Sequence, residues 1–211
     1  MNHSPNLSWM ALLALGAFHG INPGMGWLFA VALGMQERRS SAVWRSLLPL
    51  GAGHALAVAA AILLAMAMGV IVPIRELKWV LALVLITFAV ARFVRHRHPR
   101  WASMRVGMGR LTLWSFLMAS AHGAGLMVVP VFLGMTMVAA HGPGGEMPGA
   151  QASTALLATA LHAAGYLLVT ALVAVLVFEK LGVAMLRKAW FNLDLLWGCA
   201  LVTTGVLTFF L

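Results

Sequence analysis

The sequence predicts an all-α membrane protein of six transmembrane helices, arranged as two inverted-topology repeats of three helices each. Three observations carry this expectation. The chain has 211 residues, of which 62% are hydrophobic and only 9% charged, more apolar surface than a soluble domain can hide. Its apolar residues fall into six runs separated by short polar joints, and a bilayer core about 30 Å thick takes roughly 20 residues of helix per crossing. The landmarks of the first three runs also recur, in order, in the last three.

The runs cover residues 9–34, 46–70, 77–94, 111–138, 154–177 and 190–211. They divide into repeat 1 at about 9–94, a basic joint at about 95–110, and repeat 2 at about 111–211, so little chain remains for a soluble domain. Run 1 reads A-F-H-G-I-N-P-G-M through His19, Pro23 and Gly24, and ends in Leu33-Gly34-Met35. Proline inside a helix removes a donor and clashes with the preceding turn, so Asn22, Pro23 and Gly24 predict a break at mid-depth. Non-helical backbone survives there only in the protein interior or along a wet cavity, where freed carbonyls and amides become candidate ligands. Gly16, Gly20 and Gly24 at four-residue spacing predict one flat face for close helix packing.

Run 2 carries His54 in G-A-G-H-A-L-A, and run 3 carries no histidine. Run 4 repeats the His-Gly of run 1 in A-H-G-A-G-L-M-V-V-P, with His122, Met127 and Pro130, and ends again in Leu133-Gly134-Met135. Pro130 predicts the second break. Run 5 carries His162 in A-L-H-A-A-G-Y, the counterpart of His54. Run 6 holds Asp194, a carboxylate suited to a proton relay but close enough to the interface to reach water. It also holds the lone Cys199, expected to pack rather than react, which excludes dithiol chemistry within one chain. Units of three helices reverse direction, which makes the repeat inverted. On that scheme His19 and His122 lie near mid-depth, His54 towards one face and His162 towards the other.

The net charge of +9 points to topology rather than to a nucleic-acid partner, because twelve of the fourteen Lys and Arg residues sit in alternate joints. They are Arg38, Arg39 and Arg45; Arg92, Arg95, Arg97, Arg100, Arg105 and Arg110; and Lys180, Arg187 and Lys188. Basic joints stay cytoplasmic, so the chain is expected in a bacterial-type inner membrane with both termini outside, in contact with anionic lipid. The joint from His141 to Pro148, with Glu146 and no basic residue, lies outside on the same reading. The N-terminus lacks a basic n-region and precedes a long run, so run 1 is expected to stay in the mature chain. Trp9, Trp44, Trp79, Trp101, Trp114 and Trp190, near run ends, read as interfacial anchors.

Ionisable groups inside a bilayer are functional candidates by default, and His19, His54, His122 and His162 are the four histidines of the runs. Imidazole suits nickel, cobalt, zinc and copper, and Met25 and Met127 could add thioethers. In a chain with 14 methionines, most of them pack. The run G-A-F-H-G-I-N-P-G-M, followed by L-P-L-G-A-G-H-A-L, resembles the nickel/cobalt efflux (NicO-type) family of the lysine-exporter superfamily. That resemblance implies a compact metal transporter in which His19, Pro23, Gly24 and His54 match family motif positions. Met25 stands where the family commonly has a second histidine, which opens the choice of metal or substrate. The long histidine-rich loop of some members has no counterpart here beyond His96 and His98, with His141 in the outer joint.

The expected function is secondary transport of a transition-metal cation, the ion being substrate or ligand rather than a resident cofactor. No nucleotide-binding motif occurs, and no enzymatic activity is expected. One alternative is export of a small organic solute or amino acid with the histidines handling protons. Another is a membrane-embedded metalloenzyme or assembly factor. The partners expected are the lipid bilayer, a metal ion or small solute and a second copy of the chain, with no nucleic acid.

Overall fold

The computed structural model describes residues 5–71, 74–94, 107–140, 149–181 and 193–210. Every regular element among them is helical: Ala and Leu are strong helix formers, and a helix satisfies its own backbone where water is scarce. Run 1 becomes α1 (Pro5–Ile21), a 3₁₀ turn (Pro23–Met25) and α2 (Trp27–Glu37). The break is local chemistry. Asn22 takes an extended conformation before Pro23, its side chain accepts from the Gly24 amide at 2.9 Å, and Gly26 adopts φ 147°, a region closed to other residues. α2 ends at Arg38, which is left-handed (φ 53°) and donates its amide to the Gly34 carbonyl.

α3 (Ser40–Ile71) runs continuously through Pro49, and α4 (Ile74–Val94) follows. Run 4 becomes α5 (Met108–Ala121) and α6 (Ala124–Ala140), bent by 64° at the break between them. The interruption falls at His122 and Gly123, not at Pro130, which lies inside α6. Gly123 at φ 72° turns the chain left-handed, which ends a helix more surely than a proline that merely forgoes one hydrogen bond. α7 (Ala150–Leu176) continues into one π turn (Val177–Leu181), and α8 (Leu193–Phe210) closes the described chain.

The main packing partners are α1 with α7, α3 with α5, α4 with α8, and α3 with α7. Glycine sets the first two. A Cβ on Gly16 or Gly20 would run into the α7 backbone near His162 and Tyr166, and one on Gly165 into Leu13 and Ala17 of α1. Gly53 likewise meets Thr112, Ser115 and Phe116 of α5. The expected flat face therefore holds for Gly16 and Gly20 but not for Gly24, which the break carries into the 3₁₀ turn beside Asn22 and Met118.

At one end of the bundle Trp27, Val31, Val43, Leu50, Leu111, Ala174 and Val177 form a shared apolar cluster. It gathers α2 and the starts of α3 and α5 with the end of α7, and Arg38, Arg39, Arg45, Arg110 and Lys180 stand at the ends of these helices. Glu37 and Arg45 pair there across the α2–α3 turn, at 2.5 Å and exposed, an interaction of little energetic weight.

The described surface is strongly apolar, and a few polar side chains are buried within an apolar core. His19, His54, His162, Ser46, Ser115 and Thr170 are buried, while Leu48 is 79% exposed, Val70 88% and Leu168 70%. Leaving a leucine in water forgoes about 1.5–3 kcal/mol, so this exterior is suited to a lipid environment. Two helices, Ser40–Val70 and Ala150–Lys180, are long and apolar enough to cross a membrane, and the bent α5–α6 pair counts as a third if taken as one span. Asn6–Ile21 and Gly198–Thr208 are apolar but shorter. Trp44 and Trp79 are exposed, as interfacial anchors should be, whereas Trp114 packs on Phe29 with ring centroids 5.1 Å apart. Cys199 is exposed on α8 rather than packed. His96, His98, His141, Glu146, Trp101, Trp190, Arg95, Arg97, Arg100, Arg105, Arg187 and Lys188 lie outside the described residues, as do the side chains of Arg92 and Asp194.

Candidate functional site

Three helices bring three imidazoles together. His19 comes from the last turn of α1, and His54 and His162 from near the middle of α3 and α7; all three are fully buried. Ring centroids are 5.5 Å apart for His19–His54, 5.1 Å for His19–His162 and 5.3 Å for His54–His162. The nitrogen-to-nitrogen contact is His54 Nε2 to His162 Nε2 at 3.2 Å, with ring planes 8° apart. His54 and His162, expected towards opposite faces on either side of His19 and His122, meet each other directly. Both lie near the middle of long helices that pack on each other, so their depth is shared. His122 caps the end of α5, buried, within electrostatic reach of His19.

Hydrogen bonding fixes the tautomers. A carbonyl only accepts, so Nδ1 carries the proton in His19 (to Leu15 O, 2.5 Å), His122 (to Met118 O, 2.8 Å) and His162 (to Leu12 O, 3.1 Å, across the α1–α7 contact). In the neutral rings Nε2 is then a lone pair. Because His162 Nε2 accepts, His54 Nε2 donates to it, and buried His54 Nδ1 has no hydrogen-bond partner among the described atoms.

The break beside this cluster is already satisfied. With the Met25 amide turned to Asn22 and the Phe29 amide to Gly26, the carbonyls of Ile21 and Met25 lose their helical donors. Trp27 Nε1 donates to Ile21 O at 2.9 Å and the Tyr166 hydroxyl to Met25 O at 2.6 Å. These two freed carbonyls thus serve structure, not a ligand. Met25 and Met127 are both buried in the apolar core. A cavity of about 220 Å³ lies beside the second break, lined by Ala57, Ala61, Ser120, Gly123 and Gly125.

Tyr166 went unmarked in the sequence, although it is the chain's single tyrosine and stands four residues after His162, the spacing that puts both on one helix face. Its ring stacks on His54 at 3.9 Å and 5°. The hydroxyls of Ser115 and Thr170 lie against its own, and Ser115 also donates to Leu50 O at 2.6 Å.

Two chemistries are open to this arrangement. When His54 Nδ1 takes up a proton, the Nε2 proton of His54 can pass along the hydrogen bond to His162 Nε2, with no more than one ring charged at a time. With His54 in its other tautomer, two Nε2 lone pairs stand 3.2 Å apart, close to the separation of two nitrogens each about 2.0–2.1 Å from one tetrahedral ion. Among the described residues, no set of three or more His, Cys, Asp or Glu groups already forms a metal cage. Glu37, Glu76 and Glu179 are exposed, so no described carboxylate supports a hard cation such as Mg²⁺ or Ca²⁺. Compared with known families, curated proteins and solved structures, the chain matches none.

Proposed function

We propose that this protein is a membrane transporter for a transition-metal cation, which His54 and His162 hold in passage with His19 beside them. The observation that carries the reading is the buried imidazole triangle. In His19 and His162 a backbone carbonyl holds the Nδ1 proton, the outer support that orients metal-binding histidines and leaves Nε2 as the donor. Buried ionisable groups within an apolar bundle are costly and belong to pathways more often than to scaffolds. The resemblance of the first run to nickel/cobalt exporters accords with a borderline metal.

We read the chain as six spans in two inverted repeats, α1 to α4 and α5 to α8. Exchange of the halves turns the α1–α7 contact into α5–α3 and returns α3–α7 and α4–α8 to themselves, as a two-fold in the membrane plane requires. The gathered arginines then face the cytoplasm of an inner membrane.

Flux of Ni²⁺, Co²⁺, Zn²⁺ and Cu²⁺ into proteoliposomes tests the reading. Wild-type protein should carry at least one of them, and His54→Ala or His162→Ala should cut the rate by about tenfold or more, the scale set by loss of even outer support to a metal ligand. Proton-dependent movement of an organic solute with no metal flux would instead favour the proton-exchange chemistry of the same pair.

A further inference from the structure

We propose that Tyr166 is the positioning residue of this site: its ring holds His54 and its hydroxyl holds the interrupted segment of the first run, so that histidine pair and helix break move as one. The role in cation handling rests on the function proposed above; the mechanical link does not.

The link follows from three contacts. α7 carries Tyr166 one turn beyond His162, and the side chain is completely buried. The ring lies flat on His54 at 3.9 Å and 5°, and His54 in turn bonds His162. The hydroxyl donates to Met25 O at 2.6 Å, a carbonyl that has lost its helical donor because the Phe29 amide bonds Gly26 O. A buried carbonyl without a donor is costly, so the 3₁₀ turn is tied to the tyrosine. Gly26 completes the fit, since a Cβ there would stand 2.8 Å from the Tyr166 oxygen. A tyrosine that only filled space would need neither the hydroxyl nor the parallel stack. A cation seated between His54 and His162 takes the Nε2 lone pair that a change of tautomer frees on His54, and Tyr166 couples any shift of that ring to the break.

Hydrogen exchange of the full-length protein in nanodiscs, read on peptides spanning 21–30, decides the question without any metal. Tyr166→Phe removes one oxygen and keeps the ring; exchange in that segment should rise about fivefold, while peptides from α4 and α8 stay unchanged. His54→Leu, which lies outside the segment, should raise it as well by loosening the ring. The double variant should exceed neither single one, because the two act through one contact chain. Should His54→Leu fail to fold, His54→Asn takes its place. Unchanged exchange in Tyr166→Phe, or additive effects, would overturn the proposal. Binding of Ni²⁺ to wild-type and Tyr166→Phe protein is measured separately: equal affinity with a slower flux supports the positioning role. Wild-type protein that binds no metal overturns the metal reading and leaves the exchange result to judge the link.

Discussion

Single side chains decide how closely the helices approach, and glycine gives the clearest contrast. Gly165→Val would push a branched side chain into the carbonyl of Leu13 and the amide of Ala17; overpacking of this kind costs about 1–3 kcal/mol. A lower thermal midpoint in detergent and loss of monodisperse protein are expected. Gly134→Ala is the matched control: no described atom lies within 4 Å of the new Cβ, and a helical glycine gains about 0.5–1 kcal/mol on becoming alanine, so the midpoint should hold or rise. The four membrane histidines were legible from sequence, because imidazole is rare and expensive in apolar runs. Their pairing was not. Which histidine meets which depends on the relative depth of α1, α3 and α7, set by glycine contacts such as Gly16 on His162 O, and a linear pattern carries no such register. Tyr166 was invisible for a related reason, since its importance lies in what it touches.

At the scale of the element, the two breaks differ in cause and should differ in tolerance. Gly26 stands at φ 147° with Leu50 and Tyr166 2.8 Å from a built Cβ, whereas Gly123 stands at φ 72° with Leu201 at 3.0 Å. Left-handed backbone costs a substituted residue roughly 1–2 kcal/mol, but the Gly26 conformation is essentially closed to it. Gly26→Ala should therefore prevent accumulation of folded protein, while Gly123→Ala folds with a reduced midpoint; size-exclusion profiles and melting curves would tell them apart. The first break was readable because Asn22-Pro23-Gly24 announces itself chemically. The second was hidden behind Pro130, since proline is the louder signal, although the left-handed Gly123 immediately before α6 makes the break.

Across the whole molecule, large apolar side chains cover much of the described surface as well as the core, and this was the most legible property of the sequence because composition alone encodes it. Orientation is the testable part. With Cys199 replaced, a cysteine at Ala150 should react with an impermeant reagent from outside and one at Ser103 only after permeabilisation; the reverse pattern would turn the topology over. The two helices that meet the requirements of a bilayer crossing unaided, Ser40–Val70 and Ala150–Lys180, are also the two that carry His54 and His162. Lipid alone can anchor them, whereas the interrupted α1–α2 segment depends on contacts with α7 and α3. On the function proposed, biogenesis and tuning are thereby separated: changes to the broken segments would alter how the pair is approached, while insertion would rest on the helices that bear it.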